Sequence, residues 1–272
     1  MPELPEVETI RKGLQKRIVG RKIVDLVYDT PKMLQPNPKT LLAAVVESKI
    51  IKVGRRAKLI LIYLSNGKTL AIHLKLSGRL LYRKKTDPKD DWEHVTFKFD
   101  NGDELRFCNL RKFGYVRLLT SEKELRELLA GFGPEPLTPE FTLEKFREIL
   151  KKTSRAAKIV VMDQKKIAGV GNIYANDALF LAKIDPRRPA KELSDQETKK
   201  LYQAIKKVLK AGLKYKGASD QYYLDVLGRK GSYQDHFLVY QRTGKKCFDC
   251  PGEIKRLKVG GRGTFYCPRC QK

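Results

Sequence analysis

The sequence predicts an α+β protein with a β-rich N-terminal domain, a helical C-terminal domain and a small module at the end. Three features of the 272 residues support this prediction. Short apolar runs separated by turn residues dominate roughly the first 120 positions, apolar residues recur at helical spacing after residue 141, and four cysteines lie close to the end. Because 41% of the residues are hydrophobic, the chain can bury the core of one or two domains.

The N-terminal domain, residues 1–130, is expected to begin with one helix and to continue as strands. The helix is indicated by apolar Val7, Ile10, Leu14 and Ile18, with Pro5 in the first turn and Gly20 at the stop. The strand-like runs are 22–28, 57–64, 69–76, 94–99, 104–108 and 114–119. Turn residues separate these runs, so the pattern predicts an antiparallel sandwich or barrel.

A Gly- and Pro-rich linker at 131–140 precedes the helical domain that we expect over 141–240. Its helix faces carry Leu143, Phe146, Ile149 and Leu150, and then Leu201, Ile205, Val208, Leu209 and Leu213. Capping boxes are predicted for Ser121 with Glu124 and for Ser194 with Glu197. The polar stretch 216–231 is expected to be a long functional loop before a strand-like run at Tyr233–Tyr240.

The charge balance indicates a polyanionic partner. The chain has 57 Lys and Arg against 31 Asp and Glu, which gives a formal net charge of +26. Nucleic acid, an anionic membrane surface and acidic proteins all fit this excess. No apolar run approaches the roughly 18 residues that cross a bilayer, and the N-terminus does not have the pattern of a signal peptide, so a cytoplasmic location is expected.

Four cysteines in residues 241–272 predict a zinc finger, because Cys247-x2-Cys250 and Cys267-x2-Cys270 form two pairs separated by sixteen residues. Four thiolates make a closed, structural site. A disulfide pair is the alternative, but no secretion signal is present and Cys108 is left over, most simply as a small buried hydrophobic residue. Basic residues between the pairs suit DNA phosphates, whereas a finger that only stabilises the C-terminus remains the alternative.

The N-terminus contains a candidate nucleophile. Removal of Met1 leaves Pro2 with a free secondary amine, and an α-amine is partly unprotonated near neutral pH. Such an amine can attack a sugar C1′ or an aldehyde and form an iminium, while Glu3 and Glu6 could move protons. Taken alone, this pattern is more typical of an ordinary helix start.

The string of residues 2–9 closely resembles the opening of the formamidopyrimidine-DNA glycosylase family, and the resemblance continues along the whole chain. Further segments resemble the family's motifs in the same order: 55–58 (RRAK), 73–78 (HLKLSG), 111–114 (RKFG), 133–137 (GPEPL), 169–175 (GVGNIYA) and 264–272 (TFYCPRCQK). The resemblance implies an N-terminal antiparallel β-sandwich with a flanking helix, a helix–two-turn–helix domain and a four-cysteine zinc-finger hairpin. It also implies one structural Zn2+, damaged double-stranded DNA as the partner, a monomer, and a cytoplasmic, nucleoid-associated repair enzyme.

The same resemblance implies roles for four residues near the reaction. Pro2 attacks C1′ and expels the base, and Glu3 protonates the sugar and handles protons during elimination. Lys58 stabilises charge beside the lesion's backbone, and Glu6 orients the N-terminal residues. One amine, one carboxylic acid and one fixed cation suffice for base removal followed by β- and δ-elimination.

Base flipping leaves a gap in the duplex, and the resemblance implies that Leu76, Arg111 and Phe113 fill it. Phosphate contacts are implied for His73, Asn172 and Arg262, and Asn172 is also expected to cap the helix that follows it. Lys158 matches a family lysine near the flipped base or its phosphate. Without the resemblance, Lys58 and Lys158 would be expected on the solvated surface, and Leu76 and Phe113 could equally be core residues.

Several positions depart from the family's pattern. Leu76 stands where Met is usual, Lys75 where Gly is usual, and Cys108-Asn109-Leu110 where Asn-Asp-Pro is usual. The largest departure is the expected lesion lid, whose residues Ser219, Asp220, Gln221 and Tyr222 differ from the usual Gly-Gly-(Ser/Thr)-Thr context.

These observations predict a bifunctional glycosylase and AP lyase that excises formamidopyrimidines and 8-oxoguanine. One alternative is a relative similar to endonuclease VIII, which prefers oxidised pyrimidines. The other is a DNA-binding protein that recognises lesions without catalysis.

Overall fold

The computed structural model describes all residues, Met1–Lys272, and the chain divides into two units. The first comprises Met1–Gly131 and Tyr215–Ser232, and the second comprises Phe132–Lys214 and Tyr233–Lys272. The sequence-based division kept 216–231 inside the helical domain. The structure differs because this segment bonds to the first unit, for example where the Tyr82 N–H donates to the Val226 carbonyl at 2.7 Å.

Two sheets and three helices build the first unit. The helices are α1 (Leu4–Ile18), α2 (Pro38–Val45) and α3 (Glu122–Ala130). The strands are β1 (Ile23–Tyr28), β2 (Leu34–Gln35), β3 (Ile50–Arg56), β4 (Leu59–Leu64), β5 (Thr69–His73), β6 (Gly78–Lys84), β7 (Glu93–Phe99), β8 (Asp103–Asn109) and β9 (Tyr115–Leu119). One sheet has the order β1-β7-β8-β6 and the other β2-β9-β5-β4-β3. Every pairing is antiparallel except the short parallel contact of β2 with β9.

The predicted apolar face of α1 is buried. Val7, Ile10, Leu14 and Ile18 are all 0% exposed and lie in one core with side chains from both sheets. The six predicted strand regions are confirmed, but β2, β3, β6 and α2 were not predicted. Lysines and arginines interrupt the apolar alternation of β3 and β6, because much of each strand is only partly buried.

The second unit contains four helices and a β-hairpin: α4 (Leu143–Lys151), α5 (Ala157–Met162), α6 (Asn172–Ala182), α7 (Asp195–Lys214), β10 (Lys255–Val259) and β11 (Arg262–Tyr266). The predicted capping box before α7 is present in both directions, with Ser194 and Glu197 each accepting the other's N–H. At α3, Ser121 accepts the Glu124 N–H, but the Glu124 carboxylate bonds to the Thr120 N–H instead.

The prediction of a strand at 233–240 is wrong. Residues Tyr233–His236 form a 3-10 turn, and the chain then continues without regular structure. The buried Asp177 carboxylate accepts the Val239 N–H at 3.0 Å and the Tyr240 N–H at 3.2 Å. These donors are satisfied by a side chain, so the segment needs no strand partner.

Segment 216–231 contains neither helix nor strand, as predicted. No helix of the protein is both long enough and apolar enough to cross a bilayer.

Candidate active site and nucleic-acid interface

The start of α1 places the candidate nucleophile in a buried position. Pro2 is buried and Glu3 is 1% exposed, whereas Met1 is 37% exposed. The Glu6 carboxylate, itself 1% exposed, accepts the Glu3 N–H at 2.8 Å through Oε2. A carboxylate in the first helical turn stabilises the exposed N–H groups there, so Glu6 holds the residue that follows Pro2.

The same carboxylate also holds the beginning of segment 216–231. Glu6 Oε1 accepts the Ala218 N–H at 2.8 Å. Gly217 has φ +86°, and a Cβ there would lie 2.8 Å from Glu6 Oε1. Only glycine allows this approach without displacement, so a single buried carboxylate joins the N-terminus to the base of the candidate lid.

Lys58 lies in the turn between β3 and β4 and is only 5% exposed, so the expectation of a solvated charge is wrong for this lysine. The preceding Ala57 has φ +53°, and its carbonyl accepts Arg55 Nη1 at 2.9 Å. Arg55 Nε in turn donates to Glu8 at 3.0 Å. Although burial alone would raise it, hydrogen bonds from Arg11 and Arg55 hold the pKa of Glu8 below its usual range. Glu8 therefore stays ionised and fixes the turn that presents Lys58.

His73 ends β5 close to Lys58. Burial, together with the charges of Lys75 and Lys58, lowers the pKa of His73 to about 3. Its Nδ1 accepts the Lys75 N–H at 2.9 Å, so the proton of the neutral ring sits on Nε2. A neutral imidazole with a fixed N–H donor suits a phosphate oxygen.

The three candidate void-filling residues lie on two neighbouring loops. Phe113 is 55% exposed, Arg111 is exposed with its guanidinium 5.1 Å from the Phe113 ring, and Leu76 is partly buried. None of them belongs to the hydrophobic core.

Asn109, which is 0% exposed, links the two loops. It accepts from the Ser77 hydroxyl at 3.1 Å and donates to the Leu74 carbonyl at 3.4 Å. The Ser77 hydroxyl also accepts the Arg111 N–H at 3.1 Å. The sequence marked Asn109 only as a departure from the family's pattern. Its position two residues before Arg111 was the available signal.

The candidate lid has a fixed base and a more open tip. The Ser219 hydroxyl donates to the Tyr223 carbonyl and accepts the Gly231 N–H, at 2.8 and 2.9 Å. Gln221 is exposed, and Asp220 and Tyr222 are partly exposed. Ser219 therefore closes the loop on itself while the next three residues stay accessible.

In the second unit the sulfur atoms of Cys247, Cys250, Cys267 and Cys270 all lie within 4.8 Å of one another. The Cys247–Cys270 and Cys250–Cys267 sulfur pairs are 3.8 and 3.5 Å apart. Tetrahedral zinc with Zn–S bonds of about 2.3 Å places its sulfur ligands about 3.8 Å apart. The four thiolates therefore fit one structural zinc ion. The remaining Cys108 is 1% exposed, and burial raises the pKa of its thiol to about 12, in agreement with a core residue.

The β10–β11 hairpin presents Arg262. Val259 pairs with Arg262 across a two-residue turn whose Gly260 and Gly261 have φ +55° and +74°, the signs that a type I′ turn requires. A Cβ on Gly260 would lie 2.3 Å from Ile159 Cδ1 in α5, so the hairpin tip packs tightly on that helix. Arg262 is exposed beside this tip.

Lys158 and Asn172 meet the hairpin at one carbonyl. Lys158 is 0% exposed, and its Nζ donates to Gly263 O at 2.9 Å and to Thr264 Oγ1 at 2.8 Å. Asn172 Nδ2 donates to Gly263 O at 3.0 Å. Both side chains therefore hold the residue next to Arg262, and the expectation of a surface lysine is wrong.

The expectation that Asn172 caps α6 is also wrong. Gly171 is the N-cap, and Asn172 is the first helical residue. Its amide is taken by the hairpin carbonyl and its Oδ1 accepts from Asn176, so the side chain is engaged away from the first-turn N–H groups. Asn176, which also accepts the Phe265 N–H at 2.8 Å, was missed by the sequence analysis. Its spacing of four from Asn172 was the available signal.

Three parts of the chain match known family models. Residues 1–116 match the formamidopyrimidine-DNA glycosylase N-terminal domain, 132–223 its H2TH domain, and 244–272 a zinc finger found in FPG and IleRS.

Curated relatives match over the full length. The chain is 42% identical to the formamidopyrimidine-DNA glycosylase of Heliobacterium modesticaldum and 44% identical to that of Chloroflexus aggregans. These alignments cover 100% of this chain and 100% and 98% of the two relatives.

Solved structures agree with this result. The Lactococcus lactis Fpg in complex with DNA containing an abasic site is similar at a TM-score of 0.94 and 35% identity, covering 99% of each chain. Its complex with DNA containing Fapy-dG gives a TM-score of 0.93 at 35% identity, covering 99% of this chain and all of the other. The present chain therefore belongs to the formamidopyrimidine-DNA glycosylase family.

Proposed function

We propose that this chain is a bifunctional DNA glycosylase and AP lyase that removes oxidised purines through a covalent intermediate on Pro2. The observation that carries the proposal is the buried Pro2–Glu3 pair at the start of α1, held by the Glu6 carboxylate at 2.8 Å from the Glu3 N–H. Removal of Met1 would turn the buried Pro2 nitrogen into an amine beside the buried Glu3. This arrangement suits covalent chemistry, because the amine and the carboxyl group must both be fixed relative to one sugar carbon.

The reaction begins after Met1 has been removed, because an amide nitrogen is not a nucleophile. The Pro2 nitrogen attacks C1′, the bond from C1′ to the base breaks, and the base leaves with a proton. Glu3 protonates the ring oxygen, the sugar opens, and the Pro2 nitrogen loses its proton to give an iminium. Lys58, fixed by the Arg55–Ala57 contact, stabilises negative charge on the neighbouring phosphate.

Elimination then cuts the strand twice. Loss of a proton from C2′ releases the 3′ phosphate, and a second elimination releases the 5′ phosphate. Water hydrolyses the remaining iminium, which releases the sugar fragment as an aldehyde and regenerates the Pro2 amine. The iminium serves as the electron sink for both eliminations.

The second unit supplies phosphate binding. The four cysteines and their zinc hold the hairpin, while Lys158 and Asn172 fix Gly263, the neighbour of the solvent-exposed Arg262. We assign Lys158 to positioning the hairpin, since its ammonium is buried among hairpin oxygens. The zinc supplies structural stability only, because four thiolates leave no open coordination position.

Oxidised purines are the proposed substrates because relatives over the full length are named for formamidopyrimidine and one solved relative holds Fapy-dG DNA. Segment 216–231 is the proposed lid over the flipped base, and the bond from the Ala218 N–H to Glu6 supports this role, because Glu6 also accepts the N–H of the residue after Pro2. The net charge of +26 suits DNA phosphates and a nucleoid location.

Single-turnover excision from matched duplexes tests this function. We expect formamidopyrimidine and 8-oxoguanine to be released faster than thymine glycol, with phosphate at both ends of the resulting gap. Faster release of thymine glycol would support the endonuclease VIII-like alternative. A single β-elimination product would contradict the proposed double cut.

A further inference from the structure

Trp92 lies in an unusual position just before β7. It is the only tryptophan of the chain and is 37% exposed. Its φ is +59°, a left-handed conformation that a bulky residue rarely adopts. Such a conformation persists when surrounding contacts hold it, and it often marks a clamp at a functional site.

One direct ring contact and one bridge through Arg79 join Trp92 to the candidate lid. The Tyr222 ring meets the Trp92 ring edge to face, with 6.2 Å between the ring centres. The guanidinium of Arg79, in β6, lies 5.3 Å from the centre of the Trp92 ring. Arg79 Nε also donates to the Tyr222 carbonyl at 2.6 Å. The lid tip is therefore held through both its side chain and its backbone.

The backbone of Trp92 is hydrogen-bonded to the loops that carry the candidate void-filling residues. The Trp92 carbonyl accepts the Asn109 N–H at 2.8 Å. Asn109 bonds to Ser77, whose hydroxyl accepts the Arg111 N–H. A continuous set of hydrogen bonds and ring contacts therefore joins the lid tip to the loop that carries Arg111.

We propose that Arg79 and Trp92 form a latch that positions the lesion lid by binding Tyr222. The inference rests on the proposed function of 216–231 as the lid over a flipped base. Arg79 and Trp92 are positioning residues for this role, because they act through Tyr222. The latch is specific to substrates that need the lid, whereas an AP site has no base to cover.

The latch differs from the lid's other attachments. The Ala218 N–H and the Ser219 hydroxyl fix the base of the segment through Glu6, Tyr223 and Gly231. Tyr222 instead lies at the accessible tip, and both of its contacts to the latch reach β6 and the residue before β7. Loss of the latch should therefore loosen the tip without releasing the base.

Single-turnover rates on two duplexes test the latch: one carries 8-oxoguanine and the other an AP site at the same position. We expect Trp92→Leu, Arg79→Met and Tyr222→Leu to slow 8-oxoguanine excision about fivefold to thirtyfold. AP-site cleavage should stay within about twofold of wild type, because Pro2 and Glu3 are unchanged.

Matched variants distinguish loss of the latch from a general loss of protein structure or activity. Tyr222→Phe keeps the ring and the carbonyl and should retain the wild-type ratio of the two rates. Arg126→Met removes an arginine whose side chain is 75% exposed, and it should also keep that ratio. An equal loss on both duplexes, or unchanged 8-oxoguanine excision in the three latch variants, overturns the latch. Failure of the wild-type protein to cleave the AP site would instead contradict the proposed function.

Trp92 fluorescence gives a second readout that does not require activity. In free protein, Tyr222→Leu should make Trp92 more accessible to acrylamide and move its emission to longer wavelength. Tyr222→Phe should leave both unchanged. Identical quenching in the wild type and Tyr222→Leu would mean that Tyr222 does not cover Trp92, and the latch would be wrong.

Discussion

Each unit of the protein contains a buried charge that holds backbone, but the two charges have opposite sign and different tasks. Glu6 in α1 accepts the N–H groups of Glu3 and Ala218. Lys158 in α5 donates to the carbonyl of Gly263 and to a neighbouring hydroxyl. The Glu6 carboxylate accepts from N–H groups beside the candidate nucleophile, and the Lys158 ammonium donates to oxygens of the candidate DNA-binding hairpin.

Because the two buried charges hold different parts of the protein, catalysis and DNA affinity should be separable by mutation. Change at Glu6 should affect the chemical steps, because it moves the residues next to Pro2. Change at Lys158 should affect DNA affinity, because its partners lie next to Arg262. Removal of either side chain leaves the buried backbone groups that it holds without a hydrogen-bond partner, so each site should respond strongly to that loss.

Loss of a zinc ligand should produce the largest predicted effect, on both the zinc content and the DNA affinity of the second unit. Structural zinc contributes about 10–16 kcal/mol to small fingers, which is comparable with the stability of a whole domain. We expect Cys267→Ser to lose bound zinc and to weaken DNA binding by roughly 100-fold or more, measured by metal analysis and fluorescence anisotropy. Cys108→Ala is the matched control and should retain one zinc. Retained zinc in Cys267→Ser would contradict the four-thiolate site.

Glu6→Ala should slow single-turnover excision by about 100-fold with a much smaller change in DNA affinity, since a small displacement of reacting groups is costly. Glu122→Gln, whose partner is a surface arginine and whose side chain is 85% exposed, is the control and should keep the wild-type rate. If Glu6→Ala weakened DNA binding as much as it slowed excision, Glu6 would not act specifically on the chemical steps.

Lys158→Met and Arg262→Ala form a double-mutant cycle for DNA binding. Each single change should weaken binding about tenfold, and Lys158→Met should reduce the salt dependence by about one phosphate contact. In the Arg262→Ala background, Lys158→Met should add little, because the contact that it positions is already absent. Additive losses would mean that Lys158 contacts DNA directly. Lys207→Met, which removes an exposed lysine of α7, is the control for charge alone.

The last prediction is a pH dependence of stability that comes from His73. Its pKa is about 3 in the folded protein and near 6.5 in the unfolded chain. Between these values the unfolded chain binds the extra proton, so His73 makes stability fall as the pH is lowered, with a slope of up to about 1.4 kcal/mol per pH unit.

Denaturant unfolding of wild type and His73→Gln between pH 4 and 7 measures this contribution. Wild type should lose stability relative to His73→Gln as the pH is lowered, because only the wild-type chain takes up the His73 proton on unfolding. A constant difference between wild type and His73→Gln would mean that His73 titrates normally.

Local patterns explain which parts of the structure could be predicted. The face of α1 and the cysteine pairs were predicted correctly, because helical spacing and CxxC motifs act over a few residues. Strands β3 and β6 were missed, since their charged residues hide the alternation. The 3-10 turn at Tyr233–His236 was missed because its continuation bonds to Asp177 far away in the sequence.

The candidate site shows the same limit. The resemblance identified Lys158 and Asn172, but their shared hydrogen-bond acceptor, the Gly263 carbonyl, lies 105 and 91 residues later in the chain. Trp92 gave no sequence signal at all, because its partner Tyr222 comes from a separate segment. Long-range contacts of this kind decide what a side chain does, and spacing within one segment does not encode them.

Borohydride trapping tests the central claim most directly. Protein whose Met1 removal has been verified by mass spectrometry is mixed with duplex containing 8-oxoguanine and reduced with borohydride. We predict a covalent complex whose DNA is attached to the N-terminal peptide through Pro2, and its loss when Met1 is retained. A complex attached elsewhere, or no complex with mature protein, would contradict catalysis by Pro2 and favour a lesion-binding protein without this chemistry.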